Sequence, residues 1–169
     1  MPPLVALTIS IALLGGLDTF LTATILPIPV WVTFIAWASF FACGGGATGL
    51  VRSILSNWTG IIIATLSLVA ISVLPATPIF AAISVGTGSG LMILVSASPR
   101  LGFPPATVFG FAAMVGTVAA TGHAVTDMGI THPTLIAAFS MLVGAAFGIV
   151  SEVFANLLTA RIPARAEAH

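Results

Sequence analysis

Two carboxylate residues lie inside long apolar stretches of this sequence, where a charge is costly. Asp18 follows Gly15 and Gly16 in the first stretch, and Glu152 lies in the last one. An ionised side chain at mid-bilayer costs at least about 3 kcal/mol, so each is expected to face the interior of a helical bundle or water. A carboxylate in that setting can exchange a proton or contact a solute, which makes both residues candidates for a solute path.

A second pair of ionisable residues follows the fifth apolar stretch. His123 and Asp127 are four positions apart and share one face if the helix extends that far. We expect them to form an external vestibule with Asp18. Glu152 is expected either at the inner mouth of the path or in an ion pair with Arg52, Arg100 or Arg161. The alternatives stay open: an ordinary loop role for Asp127, and a neutral, hydrogen-bonded Asp18.

Six long apolar runs must position these residues, and each is about as long as a membrane-spanning helix. Charged residues make up 5% of the chain, against about 25% in ordinary soluble domains. Backbone groups in lipid must be satisfied internally, which favours helices, since the runs lack an alternation of period two. The sequence therefore predicts a single all-α membrane domain, residues 1–169, with six transmembrane helices: Leu4–Leu26, Val30–Val51, Ile54–Leu74, Ile79–Ala97, Pro105–Val125 and Pro133–Leu158.

The arginines set the predicted orientation. The chain has no lysine, and Arg52, Arg100, Arg161 and Arg165 all fall on one side of the six-span topology. That side is cytoplasmic by the positive-inside rule, so we expect both termini in the cytosol and the protein in a bacterial inner membrane. The amino terminus lacks the features of a cleavable signal peptide. The polar tail 161–169 is expected to be mobile.

The two halves of the chain resemble each other in the order of their apolar runs. Phe40–Gly46 in the second run and Phe109–Gly116 in the fifth are both rich in aromatic and small residues. If residues 1–75 and 76–160 are two copies of one unit, three spans each place the copies in opposite orientations. Inverted repeats are a common plan of transport proteins, with the solute site near the midplane between the halves.

Small and aromatic residues in those two runs predict helix breaks and constrictions. Glycines can interrupt a helix and free backbone groups for a solute beside a cavity; the alternative is a continuous helix with glycines for packing. Phenylalanines nearby can narrow a pore or instead face lipid. The candidate break residues are Gly44, Gly45, Gly46, Gly116, Thr117, Thr121 and Gly122, and the candidate constriction residues are Phe40, Phe41, Phe109 and Phe111.

One aromatic segment and two later motifs form a recognisable pattern: Trp31, Phe34, Trp37, Phe40-Phe41-Ala42-Cys43 and Gly45-Gly46, then Phe103-Pro104 to Phe109-Gly110, and Phe147-Gly148. With these residues the chain resembles a group of small bacterial inner-membrane proteins that share a domain of unknown function. Gly44 stands where that pattern has a proline. The resemblance implies an inner-membrane location and six spans, and it implies no activity.

The sequence favours a channel-like facilitator for a small neutral or weakly charged solute, because charges are scarce along the spans. Two alternatives stay open: a proton-coupled secondary transporter that uses Asp18 or Glu152, and a non-transporting structural or accessory subunit. Glycine pairs such as Gly86 and Gly90 favour close helix packing and a homo-oligomer in the lipid bilayer. We expect no enzymatic activity, no cofactor and no metal. Basic clusters are lacking, so we expect no nucleic-acid partner.

Overall fold

The chain folds into α-helices joined by short connections. The computed structural model describes residues 1–99 and 101–160, and it places no strand among them. Arg100 and the predicted mobile tail 161–169, with Arg161 and Arg165, lie outside the described residues. The helices are α1 (Pro3–Thr24), α2 (Val30–Ala42), α3 (Gly46–Val73), α4 (Pro78–Val95), α5 (Pro104–Thr121) and α6 (Pro133–Ala160).

Proline residues mark where four of the helices begin. The first helical N–H has no partner within the helix, and the proline ring already has a helical φ, so proline is favoured there. The four first residues are Pro3, Pro78, Pro104 and Pro133. The proline-rich connections therefore set the start of each of these four helices and, for all but α1, follow the end of the preceding helix.

Five of the described helices are long and apolar enough to cross a bilayer, so this is an all-α, multi-pass membrane protein. The exception is α2. Its 13 residues give a length of about 20 Å at 1.5 Å per residue, which is less than the hydrocarbon core of about 30 Å.

The prediction that the second span continues to Val51 is wrong. α2 ends at Ala42, and Gly44, Gly45 and Gly46 take φ angles of 100°, 66° and 59° that turn the chain into α3. Residues with a side chain rarely adopt such angles. The apolar composition continues through this turn, and for that reason the length of the run did not reveal the break. Arg52 consequently lies near the start of α3 rather than in a connection.

The two longest helices, α3 and α6, run antiparallel to each other. The Thr65 and Thr134 hydroxyl oxygens are 2.8 Å apart toward one end of the pair. Toward the other end, the Gly46 N–H and the Glu152 carboxylate are 2.7 Å apart. The remaining helices pack around this pair, with α1 and α2 mainly against α6, and α4 and α5 mainly against α3.

Glycines bring α2 into backbone contact with α6, and α3 into backbone contact with α5. A side chain at any of three positions would overlap the main chain of the facing helix: Gly144 against Thr33, Gly60 against Thr107, and Gly110 against Asn57. Small residues at such crossings are the usual means by which membrane helices approach closely. The interior is therefore packed at these crossings, without space for a solute between the backbones.

Buried positions recur with the same spacing in the two halves of the chain. In α2 they are Val32, Thr33, Ala36, Trp37, Ser39 and Phe40, and in α5 they are Ala106, Thr107, Gly110, Phe111, Ala113 and Met114. The set Gly49, Ser53, Ser56, Asn57, Gly60, Ile61, Ala64 and Ser67 of α3 is repeated in α6 as Pro133, Ala137, Ser140, Met141, Gly144, Ala145, Gly148 and Ser151. In this register Phe40 corresponds to Met114, which lies within the segment Phe109–Gly116.

The predicted interruption of the fifth helix falls at its end rather than within it. α5 is continuous through Gly116 and Thr117 to Thr121, and Gly122, with a φ of 70°, ends the helix in the left-handed conformation. The Thr117 hydroxyl donates to the Ala113 carbonyl at 2.7 Å, as threonines in membrane helices commonly do. These residues therefore keep the helix closed and free no backbone groups for a solute.

Candidate functional site in the bundle interior

Asp18 is buried at mid-depth in the bundle. Its side chain, on α1, is fully buried, and the Thr33 hydroxyl on α2 donates a hydrogen bond to its Oδ2. The Thr33 backbone lies against Gly144, which is close to the midpoint of α6. Asp18 is therefore level with the middle of α6, far from either end of that helix.

The other carboxylate oxygen of Asp18 is not satisfied. Oδ1 has no hydrogen-bond partner within residues 1–99 and 101–160, and Asp18 forms no ion pair in that part of the chain. Polar groups in hydrocarbon must find partners inside the protein, and an unpaired charge is expensive. This environment suits a group that binds a proton or a polar solute better than one that stabilises the fold.

His123 and Asp127 meet each other, but at one end of the bundle. Their Nδ1 and Oδ2 atoms are 3.6 Å apart, and both side chains are more than 40% exposed. Asp127 also accepts a hydrogen bond from the Ala124 N–H at 2.9 Å, within the connection between α5 and α6. Asp18 lies about 16 Å along the helix axis from the start of α6. The structure thus divides the predicted vestibule residues between two places.

Glu152 lies at the N-terminus of α3. Its Oε2 accepts a hydrogen bond from the Gly46 N–H at 2.7 Å, and the carboxylate covers Gly45. The first N–H groups of a helix lack partners within it and carry partial positive charge, so a carboxylate there is stabilising. In the described part of the chain Glu152 is bonded to this backbone group and forms no ion pair with Arg52. The other proposed arginine partners lie outside it.

Replacing Glu152 by alanine is expected to destabilise the protein by about 2 kcal/mol, because the N–H groups that begin α3 lose a charged acceptor. Glu152→Gln keeps an acceptor for the Gly46 N–H and should lose about half as much. Thermal unfolding in detergent, followed by tryptophan fluorescence, measures both variants. A Glu152→Ala protein that unfolds at the wild-type temperature would contradict this role.

The phenylalanines predicted to form a constriction pack against other helices. Phe40 is fully buried with its ring beside Gly148 of α6. Phe41 stands edge-on to Phe40, with ring centroids 5.1 Å apart. Phe111 and Phe109 belong to the apolar core or pack against it. A role for them in a solute path remains a prediction.

Sequence reasoning missed the polar residues of the interior. Asn57 on α3 is fully buried, and its Oδ1 accepts a hydrogen bond from the Ser39 hydroxyl on α2 at 3.0 Å. The Trp37 indole N–H likewise donates to the Ser151 hydroxyl at 2.9 Å. The signal was present, because an asparagine in the middle of an apolar run needs a partner inside the bundle.

Three grooves on the bundle have volumes of about 240, 590 and 350 Å³. The first lies between α3 and α4 and includes Ser67 and Ser84, the second lies beside Arg52 and Pro99, and the third is formed by α6 alone. Neither Asp18 nor Asn57 lines any of the three. These grooves are surface features, and the fully buried Asp18 and Asn57 are occluded from them.

Within residues 1–99 and 101–160, no three histidine, cysteine or acidic side chains are grouped closely enough to hold a metal ion. The sequence matches a family model described as "Protein of unknown function (DUF1097)" over residues 8–156. The predicted resemblance to a family of unknown function is thereby confirmed. No curated protein and no solved structure is similar enough to the chain to count as a match.

Proposed function

This chain belongs to the DUF1097 family, whose description names no activity, and we propose from its geometry that it is a proton-coupled secondary transporter. It carries a small uncharged or weakly charged solute across the membrane, and Asp18 binds the coupled proton. The sequence alone favours a channel-like facilitator, whereas the packed interior favours a carrier that opens to each side in turn.

The observation that carries this proposal is the state of Asp18. It is fully buried and level with the middle of α6, it accepts a hydrogen bond from the Thr33 hydroxyl, and its other oxygen has no partner among residues 1–99 and 101–160. Acidic residues retained inside membrane spans typically mark proton relays and solute paths. A purely structural role would be expected to satisfy both oxygens.

The repeated spacing of buried residues supports two related halves, α1–α3 and α4–α6. Thr33 corresponds to Thr107 and Gly60 to Gly144, and each glycine contacts the threonine of the other half. Three helices per half imply opposite orientations, the plan in which transporters bind solutes at the midplane between their repeats.

Close packing favours a carrier over an open channel. The helices touch through their backbones at Gly60, Gly110 and Gly144, and Asp18 lines none of the three grooves. A carrier passes through an occluded state of this kind, while a facilitator needs a continuous path.

We propose that both termini lie on the cytoplasmic side of a bacterial inner membrane. Arg52 lies near the start of α3, at the end of the bundle where Glu152 contacts Gly46. Positive charge flanking a span favours the cytoplasmic side. Glu152 then lies toward the cytosol, and the exposed pair of His123 and Asp127 lies on the outside.

Wild-type protein in liposomes tests the coupling. The lumen holds the pH dye pyranine, the outside is made acidic, and uptake of labelled alanine, glycerol, urea and acetamide is measured one solute at a time against protein-free liposomes. We expect at least one solute to accumulate above its external concentration while the lumen acidifies. A protonophore that collapses the pH gradient should stop the accumulation.

Each other result identifies a different function. Uptake that only equilibrates the solute, with or without a pH gradient, would show a facilitator and reject coupling. Absence of uptake for the whole panel, together with a stoichiometric partner protein that co-purifies, would support the accessory-subunit alternative.

A further inference from the structure

Asn57 carries a buried amide group that the protein satisfies only in part. Its side chain is fully buried, and the Ser39 hydroxyl contacts one end of the amide at 3.0 Å. The other end, Nδ2, has no hydrogen-bond partner in the described chain. The oxygen and nitrogen of a side-chain amide are assigned from the hydrogen-bond network. If the two were exchanged, one of them would still lack a partner among the described residues, because Ser39 contacts only one end of the amide.

This amide lies where the two halves of the chain meet. Asn57 is near the middle of α3, its backbone is in contact with Gly110 of α5, and its hydrogen-bond partner Ser39 belongs to α2. Ser56, the preceding residue, is also fully buried, and its hydroxyl lacks a partner among the described residues. Three helices from both halves thus meet at Asn57, whose amide is bonded at one end only among the described residues.

An unpaired amide in this place costs stability. Buried polar groups are almost always hydrogen-bonded, and in hydrocarbon the protein itself must supply the partner. Leucine has the branched shape of asparagine without its polar atoms and would avoid the cost. A ligand that bonds to the amide when the carrier opens would offset it.

We infer that Asn57, with Ser39, is the solute site of the transporter, and that the solute is a small uncharged molecule with a carbonyl oxygen, such as a simple amide or urea. The Nδ2 group donates to that oxygen, and the Ser39 hydroxyl can donate or accept. The polar groups around the amide are uncharged, which favours an uncharged solute. This inference rests on the proposed transport function, in which Asp18 handles the proton.

The test replaces both partners of the hydrogen bond, in the double variant Ser39→Ala/Asn57→Leu. Uptake of acetamide and urea into liposomes is measured beside that of glycerol, which has hydroxyls but no carbonyl. We expect the wild type to take up acetamide and urea in preference to glycerol. The double variant should lose at least about tenfold of the acetamide and urea uptake, the loss expected from one or two hydrogen bonds.

Stability provides a second measurement that does not depend on transport. If the amide is kept for binding, the double variant should unfold at the wild-type temperature or above it, because it removes the Nδ2 group and leaves no additional buried polar group unpaired. Asn156→Leu is the matched control, since it makes the same chemical change at an exposed position of α6 and should leave uptake unchanged.

Three results would overturn the inference: equal acetamide uptake by wild type and double variant, uptake of glycerol but not of acetamide or urea, or a double variant that unfolds well below the wild type. The last would make Asn57 a structural residue. A different result would reject the proposed proton coupling and not the solute site. Acetamide uptake that depends on Asn57 but ignores the pH gradient would reject proton coupling and leave this site in place.

Discussion

Replacing Asp18 by asparagine is expected to reduce pH-driven solute uptake to the background of protein-free liposomes. Asparagine has the shape of aspartate, and its carbonyl oxygen can accept the hydrogen bond that the Thr33 hydroxyl now donates to Oδ2. It cannot bind and release a proton, so the coupled step is lost while the fold is retained. Radiolabelled uptake with an imposed pH gradient, beside the pyranine signal, measures the effect.

Asp18→Glu is the matched control, because it keeps the ionisable group and adds one methylene to a fully buried site. Its uptake should be slower than that of the wild type and should still follow the pH gradient. Infrared spectra offer a second comparison: a protonated-carboxyl band that disappears in Asp18→Asn assigns the proton to this residue. Full gradient-driven uptake by Asp18→Asn would place the proton elsewhere, with Glu152 as the next residue to test.

A large loss of stability is expected when a single methyl group is added at Gly110. In Gly110→Ala the added Cβ would overlap the backbone carbonyl group of Asn57, where the facing helix cannot move a side chain aside. α3 and α5 must separate instead. We expect a loss of about 3 kcal/mol, at the upper end of the usual cost of overpacking. That corresponds to a decrease in Tm of about 6–12 °C, measured by thermal unfolding in detergent.

Gly90→Ala makes the same change on α4 at a position with open space around it. Alanine is the better helix former by about 1 kcal/mol, so Gly90→Ala should unfold at the wild-type temperature or slightly above it. If Gly110→Ala and Gly90→Ala proved equally stable, the close crossing of α3 and α5 would be excluded.

The class of fold could be predicted from composition, because a chain with so few charges has few alternatives to helices in lipid. The first, fourth, fifth and sixth predicted spans match helices to within four residues at each end, whereas the third helix begins at Gly46 rather than at Ile54. Gly44, Gly45 and Gly46 were candidates for a break, but length and hydropathy could not decide between a break after Ala42 and a continuous helix. The break depends on the positive φ angles of three consecutive glycines, and glycines that turn the chain have the same composition as glycines that pack inside a helix.

The candidate site was predictable only in part, because the partners of its residues depend on how the helices pack. Asp18 and Glu152 are conspicuous because carboxylates are costly in apolar runs. Their partners are a hydroxyl and a backbone N–H, which occur throughout such a sequence and become specific only when the helices are packed. Asn57 was overlooked because hydropathy treats a lone amide as a small interruption, whereas its unsatisfied nitrogen is visible only with its neighbours in place.

The shortness of α2 has a consequence for how the protein is made. At about 20 Å, this segment is too short to remain across the bilayer alone, and its main partner, α6, is synthesised about 90 residues after it. We therefore expect the nascent chain to hold α2 provisionally, for instance as a hairpin with α1, until α6 has been made. A chain truncated before Pro133 should then be degraded by the membrane quality-control machinery rather than assembled.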